Sequence, residues 1–184
     1  MVPEFSEFDL EKIVMSWGNA PDKAILFEKE SAVITYIYKY AEIRSMSASL
    51  SNIAYNLKYD IQDTSKLLEN LRRKGLVRIF EGSKNCSLTI AGLNHFESER
   101  QIYTKLIRAI SRIGIKYRTD RIEIPDLTKE LRWGDYGLTL RYLEGLKKSN
   151  VVSMSCGDIT TRKFYTASLT KKGEALLKYI NSKS

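Results

Sequence analysis

The chain has 184 residues, is 43% hydrophobic, and carries 30 lysines and arginines against 22 acids, a formal charge of +8. That length holds one domain or two small ones, no apolar run approaches the roughly 20 residues of a membrane span, and Met1 to Ser6 lacks the basic and apolar blocks of a secretory signal. Two cysteines and one histidine argue against a disulfide framework or a zinc module, whereas the basic balance favours partners with phosphates.

Residues 1–30 run against that balance, with seven acids and three bases, a net −4 that leaves +12 on the remainder. Phe8, Leu10, Ile13, Val14 and Trp17 predict a short amphipathic helix ending near Gly18. Pro21 fits the first turn of another, with Ile25, Leu26 and Phe27 as its apolar part. This acidic extension is expected to be a lid on the next unit or a dimer contact. Ser31 then stands as a cap, and Val33, Ile34, Ile37, Tyr38 and Ala41 recur at helical spacing. Residues 44–47 read as an edge strand, and 49–59 as a helix with Leu50, Ile53, Ala54 and Leu57 inward. Asp63 is placed to cap a third, basic helix through Lys74, which Gly75 stops. Helix, short turn and helix at this spacing form a helix-turn-helix signature. A hairpin follows, with strands at 76–80 and 86–89.

From Leu93 to Ile115 the pattern is helical almost throughout, ending at Gly114. Residues 121–124 alternate as a strand, Pro125 opens a helix to Leu131, and 133–137 form a turn. Leu138 to Lys148 is a second basic helix, stopped at Asn150, which tolerates the left-handed conformation. The second hairpin spans 151–169, about six residues longer at its tip than the first, with 157–160 in that tip. The last helix points Leu176, Leu177 and Ile180 inward.

The repetition is explicit. Leu143-Glu144-Gly145-Leu146-Lys147-Lys148 repeats the end of the first basic helix, and Ser168-Leu169-Thr170-Lys171-Lys172-Gly173 repeats Ser87-Leu88-Thr89-Ile90-Ala91-Gly92. The expected fold is mainly α with small β-hairpins (α+β). It has an N-terminal helical extension over 1–30 and two copies of one unit, 31–97 and 98–184, joined by a helical connector.

The Leu-x-x-Leu helix, its basic end, the Gly or Asn stop and the closing Leu-Thr-x-x-Gly resemble the winged-helix family, most of all regulators of the MarR type and their archaeal relatives. The scarcity of glutamine, with Ile, Lys, Glu and Tyr plentiful, resembles a thermophile's bias. The resemblance implies two tandem winged helices that bind duplex DNA as a transcription regulator, in the cytoplasm beside the nucleoid, with a homodimer possible and no cofactor. In such a family the third helix enters the major groove and the hairpin wing follows the backbone. Transfer by position nominates Gln62, Ser65 and Lys66 on the first helix and Thr139, Arg141 and Tyr142 on the second. It nominates Arg78 and Lys84 on the first wing and Arg162 and Lys163 on the second. Because Tyr142 takes the place of Leu67, the two helices are not expected to read DNA identically.

Other charged and aromatic residues have plainer readings. Glu69 is expected to pair with Arg72 or Arg73, and Arg72, Arg73, Lys74, Lys147 and Lys148 suit helix C-termini. Tyr36, Tyr38 and Tyr40 are expected to pack or to face a dimer partner, and Cys86 and Cys156 to be ordinary hairpin residues. With no Gly-rich phosphate loop, nucleophile motif or metal helix in the sequence, no enzyme is implied. Two other functions fit the same elements: a replication or partition initiator, and a winged-helix scaffold for protein contacts.

Overall fold

Two stretches of the chain fold alike because the same residue types recur at the same spacing. A computed structural model describes the backbone of residues 4–133, 135–159 and 162–184, and their side chains outside 157–164. After α1 (Glu7–Met15), the first unit runs α2 (Glu28–Arg44), β1 (Ala48–Ser49), α3 (Leu50–Leu57), α4 (Ile61–Arg73), β2 (Val77–Ile79), β3 (Asn85–Leu88) and α5 (Ile90–Asn94). The second repeats that order: α6 (Glu99–Tyr117), β4 (Ile122–Glu123), α7 (Ile124–Leu131), α8 (Tyr136–Lys148), β5 (Val152–Ile159), β6 (Arg162–Leu169) and α9 (Lys171–Ser182). Each unit holds a three-stranded antiparallel sheet, ordered β1-β3-β2 in the first and β4-β6-β5 in the second. The fold is thus mainly helical with small β-hairpins, as the sequence implies.

The stops recur as well as the elements. Ser45 and Arg118, Lys58 and Arg132, and Gly75 and Asn150 all take positive φ, between 52° and 72°. Each ends the corresponding helix or its cap in the left-handed region. The closing Leu-Thr-x-x-Gly has a direct physical meaning. The Thr89 hydroxyl donates to the Gly75 carbonyl (2.6 Å) and accepts from the Gly92 N–H (3.1 Å). Thr170 does the same between the Asn150 carbonyl (2.7 Å) and the Gly173 N–H (3.1 Å). The threonine therefore ties the helix stop to the start of the closing helix. A Cβ on Gly92 would collide with the Leu76 carbonyl oxygen, and one on Gly173 with that of Val151. Only glycine lets the closing helix seat on the first residue of the hairpin.

One core runs through both units. Ile34, Ile37, Ile53 and Leu71 are fully buried in the first; Ile107, Leu127, Leu143 and Leu176 are in the second. Among the described residues no helix is long and apolar enough to cross a membrane.

Several expectations need correction. α2 starts at Glu28, not at Ser31, because Glu30 folds back to accept the Phe27 N–H (3.1 Å). The edge strand lies at Ala48–Ser49, since left-handed Ser45 turns the chain first. No helix forms at Pro21; Ile25 and Phe27 are 95% and 77% exposed on an extended strap. Of the acidic extension, helix α1 packs on α9 of the second unit, while residues 22–27 lie on the first, bonded to Asn94, His95 and Lys74. The expected continuous helix from Leu93 breaks at 95–98. There Ser98 caps α6 through a reciprocal pair: its N–H donates to Gln101 Oε1 (2.8 Å) while its hydroxyl accepts the Gln101 N–H (3.3 Å). The helix then passes Gly114 to Tyr117. Residues 157–159 are paired strand rather than hairpin tip, and Thr160 lies outside the described residues.

Candidate nucleic-acid interface

The two basic helices superpose in sequence with a constant offset of 75 residues, and their caps show why they start where they do. Asp60, not Asp63, caps α4: its Oδ1 accepts from Gln62 N–H (2.7 Å) and Asp63 N–H (3.2 Å). Asp135 caps α8 in the same way, from Gly137 N–H (2.7 Å) and Leu138 N–H (3.3 Å). Four residues on, the Thr64 and Thr139 hydroxyls donate back to the carbonyls of Asp60 (2.8 Å) and Asp135 (3.4 Å). The recurring Asp-x-x-x-Thr is the signal that marks both helix starts.

Helix α4 buries Thr64, Leu68 and Leu71 on one face. Gln62, Ser65 and Lys66 stand together on the opposite face, all exposed. Lys66 lies 3.6 Å from Asp63, an exposed pair worth little in water. Glu69, one turn further, is engaged by Arg72 (2.6 Å) and Arg73 (3.5 Å). The Arg72 hydrogen bond holds its carboxyl below the usual range, so this acid is largely neutralised by its own helix. Lys74 leaves the helix end altogether. It reaches the buried Glu30 of α2 at 2.6 Å, which makes it a tie between helices rather than a free cation.

Helix α8 is held on two faces. Thr139, Leu143 and Leu146 pack into its own unit. Leu138 and Tyr142 turn toward the first unit and the helices beside it. There the Tyr142 hydroxyl donates to Asn94 Oδ1 (3.0 Å), and its ring meets Tyr103 edge-on and Trp133. Gly145 completes that face, since a Cβ would press on the Tyr103 hydroxyl. Two nominations therefore fail: Thr139 is wholly buried and Tyr142 is 3% exposed, so neither meets a groove. Thr139 is the counterpart of Thr64, a structural threonine, and Tyr142 is an anchor between units. At the positions matching Gln62 and Ser65, α8 carries Gly137 and Leu140, and of its three nominated residues only Arg141 is exposed.

Arg141 has unexpected company. It lines a small cleft of about 70 Å³ with Arg78 from β2, Asp135 and Gly137. The Ser87 hydroxyl of β3 donates to Asp135 Oδ2 (2.8 Å), which seats the first sheet on the start of α8. Arg78 and Arg141, one from each unit and 63 residues apart in the chain, thus line one cleft, with an Arg78 guanidinium nitrogen close to Gly137.

Lys84 is exposed in the first hairpin turn with φ 53°, beside Gly82 at φ 88°. Arg162 and Lys163 open β6, opposite Ile159 and Asp158; their side chains lie outside the described residues. Tyr36, Tyr38 and Tyr40 are half-buried: Tyr38 stacks on Phe96, and Tyr36 and Tyr40 stack on each other. Cys86 is buried in the sheet, where desolvation pushes its thiol up to about 12. Cys156 is exposed.

The chain matches no protein-family model and no curated protein sequence.

Proposed function

We propose that the protein is a tandem winged-helix DNA-binding protein and acts as a transcription regulator, with α4 as its principal groove-reading helix. The observation that carries this reading is the free face of α4. Gln62, Ser65 and Lys66 project from a helix that a three-stranded sheet and two further helices hold rigidly from behind. Amide, hydroxyl and ammonium groups on one helical face are what hydrogen bonding to base edges and nearby phosphates requires. Arg78 and Arg141 together suit one backbone phosphate, and Lys84, Arg162 and Lys163 extend the basic contacts along the two hairpins. The charge of +12 on residues 31–184 supplies the long-range attraction.

The test is a duplex titration at two salt concentrations, using sites selected from random DNA. Loss of Lys66 (Lys66→Ala) is expected to relax preference at one base pair by about 1–3 kcal/mol. Loss of Arg141 or Arg78 is expected to weaken all sequences alike and to lower the salt slope by about one unit per phosphate contact. No binding at low salt, or equal affinities for the native protein and a Lys66→Ala/Arg141→Ala double variant, would overturn the DNA reading in favour of a protein scaffold.

A further inference from the structure

The two units differ at the place where the first helix of each unit meets the segment after its closing threonine. In the first unit this place is filled. Tyr38, seven residues before left-handed Ser45, lays its ring on Phe96, with centroids 4.4 Å apart and planes at 12°. Its hydroxyl donates to Glu97 Oε1 at 2.6 Å, and Lys105 binds the other oxygen of that carboxylate at 2.7 Å. Phe96 and Glu97 stand four and five residues after Gly92. A phenol, a ring to stack on and a partner for the hydroxyl are all supplied by the chain.

The corresponding residues of the second unit follow from the same landmarks. Seven before left-handed Arg118 stands Ser111; four and five after Gly173 stand Leu177 and Lys178. The tyrosine has become a serine, the stacking ring an aliphatic wall, and the carboxylate an ammonium. What remains is an open cleft of about 660 Å³, within the range of about 300–1,000 Å³ over which proteins hold small molecules. Ile110, Ile122 and Leu169 give it an apolar lining, and Gly114, where the first unit has Ala41, adds no side chain. Its rim carries Lys178, Arg118, Asp120 and Glu174.

We infer that this cleft is a binding site for a planar aromatic molecule of one or two rings carrying one acceptor group, such as a carboxylate. The ring takes the position that Tyr38 fills in the first unit, flat against Leu177 and over Ile110 and Ile122. The acceptor meets Lys178, which stands where the first unit's own hydroxyl finds Glu97. Asp120 and Glu174 on the same rim disfavour an acceptor placed against them. Occupancy does not depend on whether α4 meets DNA.

Methyl-labelled full-length protein titrated with 2-naphthoate tests this, with 2-naphthylmethylamine as the charge-reversed probe. The expected result is saturable shifts confined to the methyls that line the cleft, on Ile110, Ile115, Ile122, Leu169 and Leu177, with a Kd below about 1 mM for the acid and at least about tenfold weaker binding of the amine. Ser111→Tyr, which supplies the first unit's own plug, is expected to abolish those shifts. Lys178→Glu, a change at an exposed position, is expected to weaken the acid about tenfold or more and keeps the test decisive if the larger side chain disturbs folding. Absence of saturable shifts with the acid, undiminished shifts in both variants, or equal binding of acid and amine would each overturn the assignment.

Discussion

Helices α4 and α8 begin with the same Asp cap, bury the same Thr and Leu pair, and end on the same left-handed stop, yet they are used differently. α4 is packed on one face and leaves Gln62, Ser65 and Lys66 in solvent. α8 is packed on two, because Leu138, Tyr142 and Gly145 form the contact with the first unit and the aromatic residues around Trp133. A helix has room for roughly three stripes of side chains. Giving two of them to packing leaves α8 one narrow stripe, on which Arg141 is the main polar group. Repetition supplied two equivalent helices; docking α8 against the sheet and Asn94 of the first unit covered a stripe that α4 keeps in solvent.

The core faces are where the two helices should still behave alike. Leu68 is 3% exposed and Leu143 not at all, so Leu68→Ala and Leu143→Ala are each expected to cost about 2–5 kcal/mol in chemical denaturation. A large loss in one and none in the other would mean that the two units do not share one packing scheme.

Acid should separate the units. In the first, Glu30 is buried; burial pushes its carboxyl up, but Lys74 and the Phe27 N–H outweigh this and hold it below its ordinary value of 4.5. A carboxyl whose pKa is lowered by folding contributes stability that is complete above the unfolded value and is lost as pH falls through the folded one. The second unit has Tyr103 and Ser149 at the matching positions, so no such pair titrates there. As pH falls below about 4.5, amide protection in α2 and α4 is expected to fail before that in α6 and α8. Simultaneous loss in both units would show that this ion pair does not govern acid stability.

The contact between the units can be loosened with less damage. Tyr142→Phe keeps the ring against Tyr103 and Trp133 and removes only the hydrogen bond to Asn94 (3.0 Å). The expected cost is about 0.5–1.5 kcal/mol, read as a small drop in the denaturation midpoint. An unchanged midpoint would reduce Tyr142 to a purely apolar anchor.

Much of this was legible in the sequence, because repeated landmarks constrain one another. The stops at Gly75 and Asn150 and the two Leu-Thr-x-x-Gly closures mark contacts that recur bond for bond. The burial of Leu68 and Leu143 follows from helical phase alone. Thr139 lies four residues before Leu143 on the same stripe, so its burial too follows from helical phase; Tyr142 was not legible as buried. Helical phase says which residues share a stripe, but not that a second stripe of α8 would meet another unit. The break before α6 was hidden because the apolar period of residues 93–115 runs on across it, although Ser98 and Gln101 do spell a capping box. Ile25 and Phe27 misled for the opposite reason: apolar residues beside a proline predict a packed helix, and here they lie exposed on a strap. On α4, helical phase did place Gln62, Ser65 and Lys66 on the exposed stripe, but that Arg78 and Arg141 line one cleft depends on how the first sheet seats on Asp135, which no local pattern carries.

That strap offers the smallest and most local contrast. Ala24 N–H donates to His95 Nδ1 at 2.9 Å, and Asp22 N–H donates to the Asn94 carbonyl at 2.8 Å. The first bond requires an unprotonated Nδ1. Burial, with the positive charge of Lys23 nearby, holds the imidazole below its ordinary 6.5. A base whose pKa is lowered by folding binds fewer protons folded than unfolded, so its contribution is complete above about 6.5 and is lost as pH falls toward the folded value. At the matching position the second unit has Leu176, fully buried and without a proton to gain. Hydrogen exchange at Ala24 and Asp22, corrected for its intrinsic pH dependence, is therefore expected to quicken as pH drops from about 7.5 to about 5.5, across the ordinary histidine range, while the start of α9 stays unchanged. Replacing His95 with leucine should expose the Ala24 amide at every pH and remove the dependence. Exchange at Ala24 that does not vary over that range in the native protein would show that the strap is held by its backbone bond to Asn94 and not by the imidazole.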